Sequence, residues 1–227
     1  MDKHEIVVNE QGEIVDELLL ETLYHHLDVS LFSTTMGAES RVFDRMRALG
    51  KPYWLYNCTQ PALHPELDRF HYGLYTWRAG AKGFFMWHYT ATEIVKDEKR
   101  HWPWMDEMGV FHNTGDVWPM YAALSPMGPV PTIYWEAVRE GVDDYRYLLT
   151  LSKLIERARD GRDEGAKRLA DEALGVVEAM MAKIPIEADR RRRREVGAGA
   201  VRALPGVAAE AYDAFRSTIA NLIVRLQ

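Results

Sequence analysis

Three short stretches end in side chains able to grip a polyhydroxylated ligand: Ser33-Thr34-Thr35, Tyr56-Asn57-Cys58 and His88-Tyr89-Thr90. Two of them have an indole just upstream, Trp54 and Trp87. Ring faces pack on the C–H face of a sugar, while amides and hydroxyls bond its hydroxyl groups. Core aromatics facing helices are the competing explanation. Acid–base chemistry on a glycosidic bond needs two carboxyl groups roughly 5 to 9 Å apart. Asp106 and Glu107 are neighbours in an irregular stretch, a pattern that a solvated loop also produces. Asp116, in "TGDVWPMY" between a glycine and aromatics, is the candidate catalytic residue, against its reading as a turn cap. In "WEAVREGVDDYRYL" the residues Glu136, Arg139, Glu140, Asp143 and Asp144 fall at helical spacing, which favours surface ion pairs.

Other chemistries find little footing. The eight His are scattered, with no HExxH and no Cys-His spacing for a metal, and no glycine-rich nucleotide loop is present, so no cofactor is expected. Arg190 to Arg194 form a basic run, but an acidic chain with one short cluster is a poor nucleic-acid binder. Cys58 is the single cysteine and lacks a neighbouring His or Lys, so a structural thiol is expected.

The elements that would position these residues follow from hydrophobic spacing. "EIVDELLLETLYHHLD" predicts a helix over about 14–27, "DVSLFSTT" a strand, and "AESRVFDRMRALG" a helix closed by Gly50. "KPYWLYNC" predicts a strand, "HPELDRFHYGLYTWRAG" a helix from Pro65 to Gly80, and "GFFMWHYT" another strand. Alternation along this last strand sends Trp87 and Tyr89 to one side and His88 to the other. The order β-α-β-α-β with short connections implies parallel strands, whose carboxyl ends form the ligand site in such folds. Residues 93–131 show no sustained period; a loop of that length is either functional or a sign that short elements are hidden in it. Helices are predicted over 132–160, with Gly141 a weak point, and over "EGAKRLADEALGVVEAMMAKIP" and "GVAAEAYDAFRSTIANLIVRLQ".

Composition fits a folded, non-membrane chain: 227 residues, 47% hydrophobic and 27% charged, with no run of transmembrane length. No signal peptide is visible, which makes cytoplasm the default location. Residues 1–150 carry 13 Lys/Arg against 22 Asp/Glu and hold all seven Trp; residues 151–227 are aliphatic and slightly basic. Two regions are therefore expected, an α/β part over 1–150 and an α-helical extension over 151–227. Three parallel strands leave bare edges, so a homo-oligomer or a partner chain covering them is expected, with "HEIVVNE" a candidate further strand.

The series "KPYWLYNC", "GAKGFFMWHYTAT", "GDVWPMY" and "PTIYWEAVREGVDDYRYLL" resembles the C-terminal half of the catalytic domain of glycoside hydrolase family 123, over residues 28–150. The matching positions are Trp54, Tyr56, Asn57, Gly83, Trp87, Asp116, Tyr121, Glu136, Arg139, Gly141, Asp144 and Tyr145. The resemblance implies parallel strands of a partial (β/α)8 barrel, a carbohydrate ligand, and Trp54, Tyr56, Asn57, Trp87, Tyr89 and Tyr121 as sugar contacts. Members similar to N-acetyl-β-galactosaminidases use the substrate's acetamido group as nucleophile, assisted by an Asp-Glu pair on an earlier strand. That pair has no counterpart here: Asp16-Glu17 falls inside a predicted helix. Where relatives carry Ser-x-Arg before the last helix, this chain has Thr132-Ile133-Tyr134. The expectation is a sugar pocket, hydrolytic if a catalytic pair is supplied, or a binding or structural remnant without one.

Overall fold

In the computed structural model of the chain, the described residues are 22, 25–33, 40–57, 65–86, 110–113, 116–119, 122–125, 127–184 and 209–227. Strand β1 (Ser30–Ser33) is followed by helix α1 (Ser40–Leu49), then β2 (Tyr53–Asn57). A continuous helical run comes next: α2 (Pro65–Phe70), a π-helical turn (His71–Tyr75) and α3 (Thr76–Ala79), leading to β3 (Gly83–Met86). The three strands form a parallel sheet in the order β1-β2-β3, with Ser30 opposite Tyr53 and Trp54 opposite Gly83. The alternating β-α-β-α-β pattern is thus realised, as a short parallel sheet that the described residues do not close into a barrel.

Local chemistry sets these boundaries. Phe43 and Met46, three apart on α1, are fully buried, and Gly50 ends the helix at φ +74°, its N–H donating to the Arg47 carbonyl at 3.0 Å. Gly80 does the same after α3, at φ +75°. The Ala81 N–H then reaches back to Thr76 and the Lys82 N–H to Tyr53, which steers the chain into β3. The Phe43 ring stacks on Tyr53 at 5.6 Å, and the Phe84 ring meets His71 and Tyr72. One face of the sheet is thereby covered by helices.

Residues 93–131 are not one irregular loop. They contain two antiparallel ribbons, β4 (Val110–Asn113) with β5 (Asp116–Pro119), and β6 (Ala122–Ser125) with β7 (Gly128–Pro131). Each strand has four residues, too few to show a period among the prolines and glycines. Gly128 takes φ +113°, a conformation that suits a residue without Cβ at the close of a tight hairpin.

Helix α4 (Ile133–Asp160) runs unbroken through Gly141, and α5 (Glu164–Met181) and α6 (Ala209–Leu226) pack on it. The Asp163 side chain caps α5 by accepting from the Gly165 N–H at 2.7 Å. Leu148, Leu151 and Ile155 of α4, Ala170 and Ala173 of α5, and Ile219 and Leu222 of α6 share one core with Phe43, Tyr53, Leu55 and Leu74. Position 150 lies inside α4, and the helices beyond it close over the same apolar centre. No helix among the described residues is long and apolar enough to cross a membrane.

Candidate functional site

Strand β2 divides its side chains by alternation. Tyr53 and Leu55 are buried against the helices, whereas Trp54 and Tyr56 face the other way. Trp54 is 44% exposed, an unusual state for an indole on the central strand of a parallel sheet. Its placement depends on Gly83. A Cβ built on Gly83 would lie 3.1 Å from each of Trp54 Cδ1, Cδ2 and Cε2, so the indole lies face-on across the glycine. Beside it the Tyr56 ring sits 5.9 Å from that of Phe85 at a 32° tilt. The sheet face that no described helix covers therefore offers Leu31, Trp54, Tyr56 and Phe85 around a glycine shelf: a small aromatic patch that runs from Trp54 and Gly83 at the amino ends of β2 and β3 to Tyr56 and Phe85 nearer their carboxyl ends.

Four carboxylates of α4, Glu136, Glu140, Asp143 and Asp144, are engaged in ion pairs. Arg139 Nε donates to Glu136 at 2.7 Å and its Nη2 to Glu140 at 2.9 Å, while Asp143 stands 3.6 Å away. Arg216 of α6 donates to Glu140 Oε2 at 2.6 Å, and this hydrogen bond leads the interactions that hold the Glu140 carboxyl below its ordinary range. A depressed carboxyl is the wrong state for a general acid, which must keep its proton near neutrality. Asp144 is buried and bound by Arg69 Nε at 2.8 Å and Arg216 Nε at 2.8 Å. These acids build a helix junction. Among the described residues no group of three or more His, Cys, Asp or Glu is arranged to hold a metal ion.

Residues 10–151 match the glycoside hydrolase 123 catalytic domain. The chain belongs to this family. No curated protein and no solved structure matches it. Within the glycoside hydrolase 123 segment, positions expected to be functional separate into distinct roles. Trp54, Tyr56 and Gly83 form the open patch. Gly141 is a packing position: a Cβ there would come within 2.5 Å of the Arg69 carbonyl oxygen, and one at Gly73 within 2.8 Å of the Gly141 carbonyl oxygen. The sequence marks Gly141 as a weak point because glycine disfavours helix; in the fold it is what lets α4 touch the π-turn. Tyr145 packs edge-on to Trp77 at 5.3 Å and donates to the Ala81 carbonyl at 3.3 Å, tying α4 to the chain that starts β3.

The remaining candidates are placed by backbone alone or lie outside the described residues. Asn57 ends β2 opposite Met86, and Asp116 opens β5 opposite Asn113 at the turn end of its ribbon. Trp87, Tyr89, Tyr121, Cys58 and the pair Asp106-Glu107 lie outside the described residues, as do "HEIVVNE" and the five-Arg run. Three contributors went unread in the sequence. Phe85 joins the patch because the register puts it opposite Tyr56, and parallel register is set by tertiary packing. Arg69 and Arg216 look like ordinary surface arginines until the fold brings both to Asp144.

Proposed function

We propose that this glycoside hydrolase 123 chain supplies an aromatic carbohydrate-binding surface for N-acetylhexosamines, acting as a binding module without a catalytic carboxylate pair among its described residues. One observation carries the reading: the Trp54 indole, 44% exposed, lies across Gly83 at the amino ends of β2 and β3, with Tyr56 next on the same face towards the carboxyl end of β2. An aromatic plane held flat against backbone is a low-entropy platform for a sugar ring. Tyr56, Asn57, Trp87, Tyr89 and Tyr121 are the proposed neighbouring contacts. Hydrolysis, with Asp116 as one carboxyl, would require a second carboxyl contributed by earlier strands.

A structural reading is favoured by the apolar members of the same face. Leu31 and Phe85 are 39% and 46% exposed, more apolar surface than a sugar alone covers. A homodimer or partner chain that packs on this face as well as along the edges of β1 and β3 would bury them, and this assembly is part of the proposal.

Calorimetric titration with N-acetylgalactosamine and N-acetylglucosamine tests the reading. Binding that weakens by roughly 1–3 kcal/mol in Trp54→Ala supports it. A folded wild-type chain that gives no heat and no Trp fluorescence change with either sugar would leave the structural role alone standing.

A further inference from the structure

Asp144 sits where three helices meet, with its side chain 1% exposed. Oδ2 accepts from Arg69 Nε at 2.8 Å, and Oδ1 accepts from Arg69 Nη2 at 3.3 Å and from Arg216 Nε at 2.8 Å. The fork also reaches Glu140, Nη1 donating to its carboxylate at 2.6 Å and Nη2 to its backbone carbonyl at 2.9 Å, while Nη2 stays 2.7 Å from Asp144 Oδ1. Helix α6 holds Arg69 from a second side as well. The Arg69 guanidinium lies 4.6 Å from the Tyr212 ring centroid, and Asp213 approaches it at 3.8 Å. Arg69 belongs to α2, the helix that the chain enters after leaving the carboxyl end of β2. Arg216, by contrast, lies beyond the family segment, which ends at residue 151.

We infer that Arg216 is a positioning residue that, through Asp144 and Arg69, fixes the last turn of α2 and the π-turn after it, whose His71 and Tyr72 pack on Phe84 of β3, the strand that carries Gly83 and Phe85. A lone carboxylate gripped by one arginine keeps a rotational freedom that a second, crossing guanidinium removes. The planar fork is essential, because three separate acceptors must be met at once. Loss of Arg216 need not unfold the chain. Asp144 keeps Arg69 and Glu140 keeps Arg139, so no buried charge is orphaned. What is lost is the registry between α6 and α2. The effect on a sugar site rests on the reading above; the placement of α2 does not.

Amide hydrogen exchange on the full chain tests this with Arg216→Gln, Arg216→Lys and Ile219→Val. Ile219 is a fully buried, apolar core residue of α6 that takes part in no ion pair, so its shortened variant reports ordinary destabilisation. In Arg216→Gln, exchange over residues 65–75 should rise about tenfold relative to α5. Arg216→Lys should show the same loosening, since an ammonium cannot span the three acceptors. Ile219→Val should change α2 and α5 alike. An even change across α2 and α5 in Arg216→Gln, or wild-type protection in Arg216→Lys, overturns the inference. Failure of the chain to bind any sugar would end the pocket reading and leave this outcome unaffected.

Discussion

The indole of Trp54 lies flat because position 83 has no side chain. A methyl group there would stand 3.1 Å from three ring atoms, so the half-exposed indole would have to lift off the strand. Gly83→Ala should therefore retain the fold, shift the near-ultraviolet dichroism of the chain, and lower N-acetylhexosamine affinity about as much as Trp54→Ala. Preserved affinity would show that the platform is not the contact. Buried phenols offer a second test. Tyr72, Tyr75 and Tyr212 all have their pKa raised, in each case mainly by burial. A raised folded pKa means that the stabilisation is complete below the ordinary tyrosine value of about 10 and is lost as pH climbs beyond it. In an alkaline titration followed at the phenolate band, these three should ionise together with unfolding and not before. Residue types on β2 made Trp54 and Tyr56 legible in advance, since an aromatic flanking polar strand ends is a local signal. The roles of Asp144 and Gly141 were not, because both depend on helices far away in the chain.

At the level of elements, the contact between α4 and the π-turn decides how this fold differs from its pattern. Gly73 and Gly141 face each other so closely that neither has room for a Cβ, and the wider π-turn presents Gly73 to that contact. Helix propensity alone predicts that Gly141→Ala stabilises the chain by up to about 1 kcal/mol. Overpacking against the Arg69 carbonyl should reverse the sign, costing roughly 1–3 kcal/mol in denaturant unfolding. The junction of α4 with α6 carries a pH signature too. Glu140 is lowered by its hydrogen bond to Arg216, with desolvation opposing and the charges of Arg216, Arg139 and Arg69 assisting. Its contribution is present above the ordinary carboxylate value of 4.5 and is lost as pH falls through the lower folded value. Thermal unfolding of Arg216→Gln should accordingly fall short of the wild type at neutral pH, with the gap narrowing below that range. Helices α1, α4, α5 and α6 were readable from spacing because each carries a single apolar stripe. The ribbons β4–β5 and β6–β7 were not, since four-residue strands hold too few alternations to stand out from their turns.

For the molecule as a whole, the parallel sheet is covered on one face only by described elements, and Leu31, Trp54 and Phe85 remain exposed on the other. Parallel sheets bury both faces in nearly all folds. Sedimentation should show concentration-dependent association, and the double variant Leu31→Lys/Phe85→Lys should remain monomeric with unchanged helix content. A wild-type chain that stays monomeric at high micromolar concentration would remove the assembly proposal. The α/β order and the helical region were legible as a list of parts. That they share one core was not, because the composition change near residue 150 reflects which face each helix shows to water. Helix α4 makes that change seamless: Leu151 at the last family position and Ile155 beyond it enter the same core, and Leu154 is buried beside them. A gene fusion or deletion made at residue 151 would saw through the main beam of the building. Evolution and the protein engineer therefore inherit residues 133–160 as one indivisible piece, and exchange of this family segment between proteins should succeed only when the whole helix travels with it.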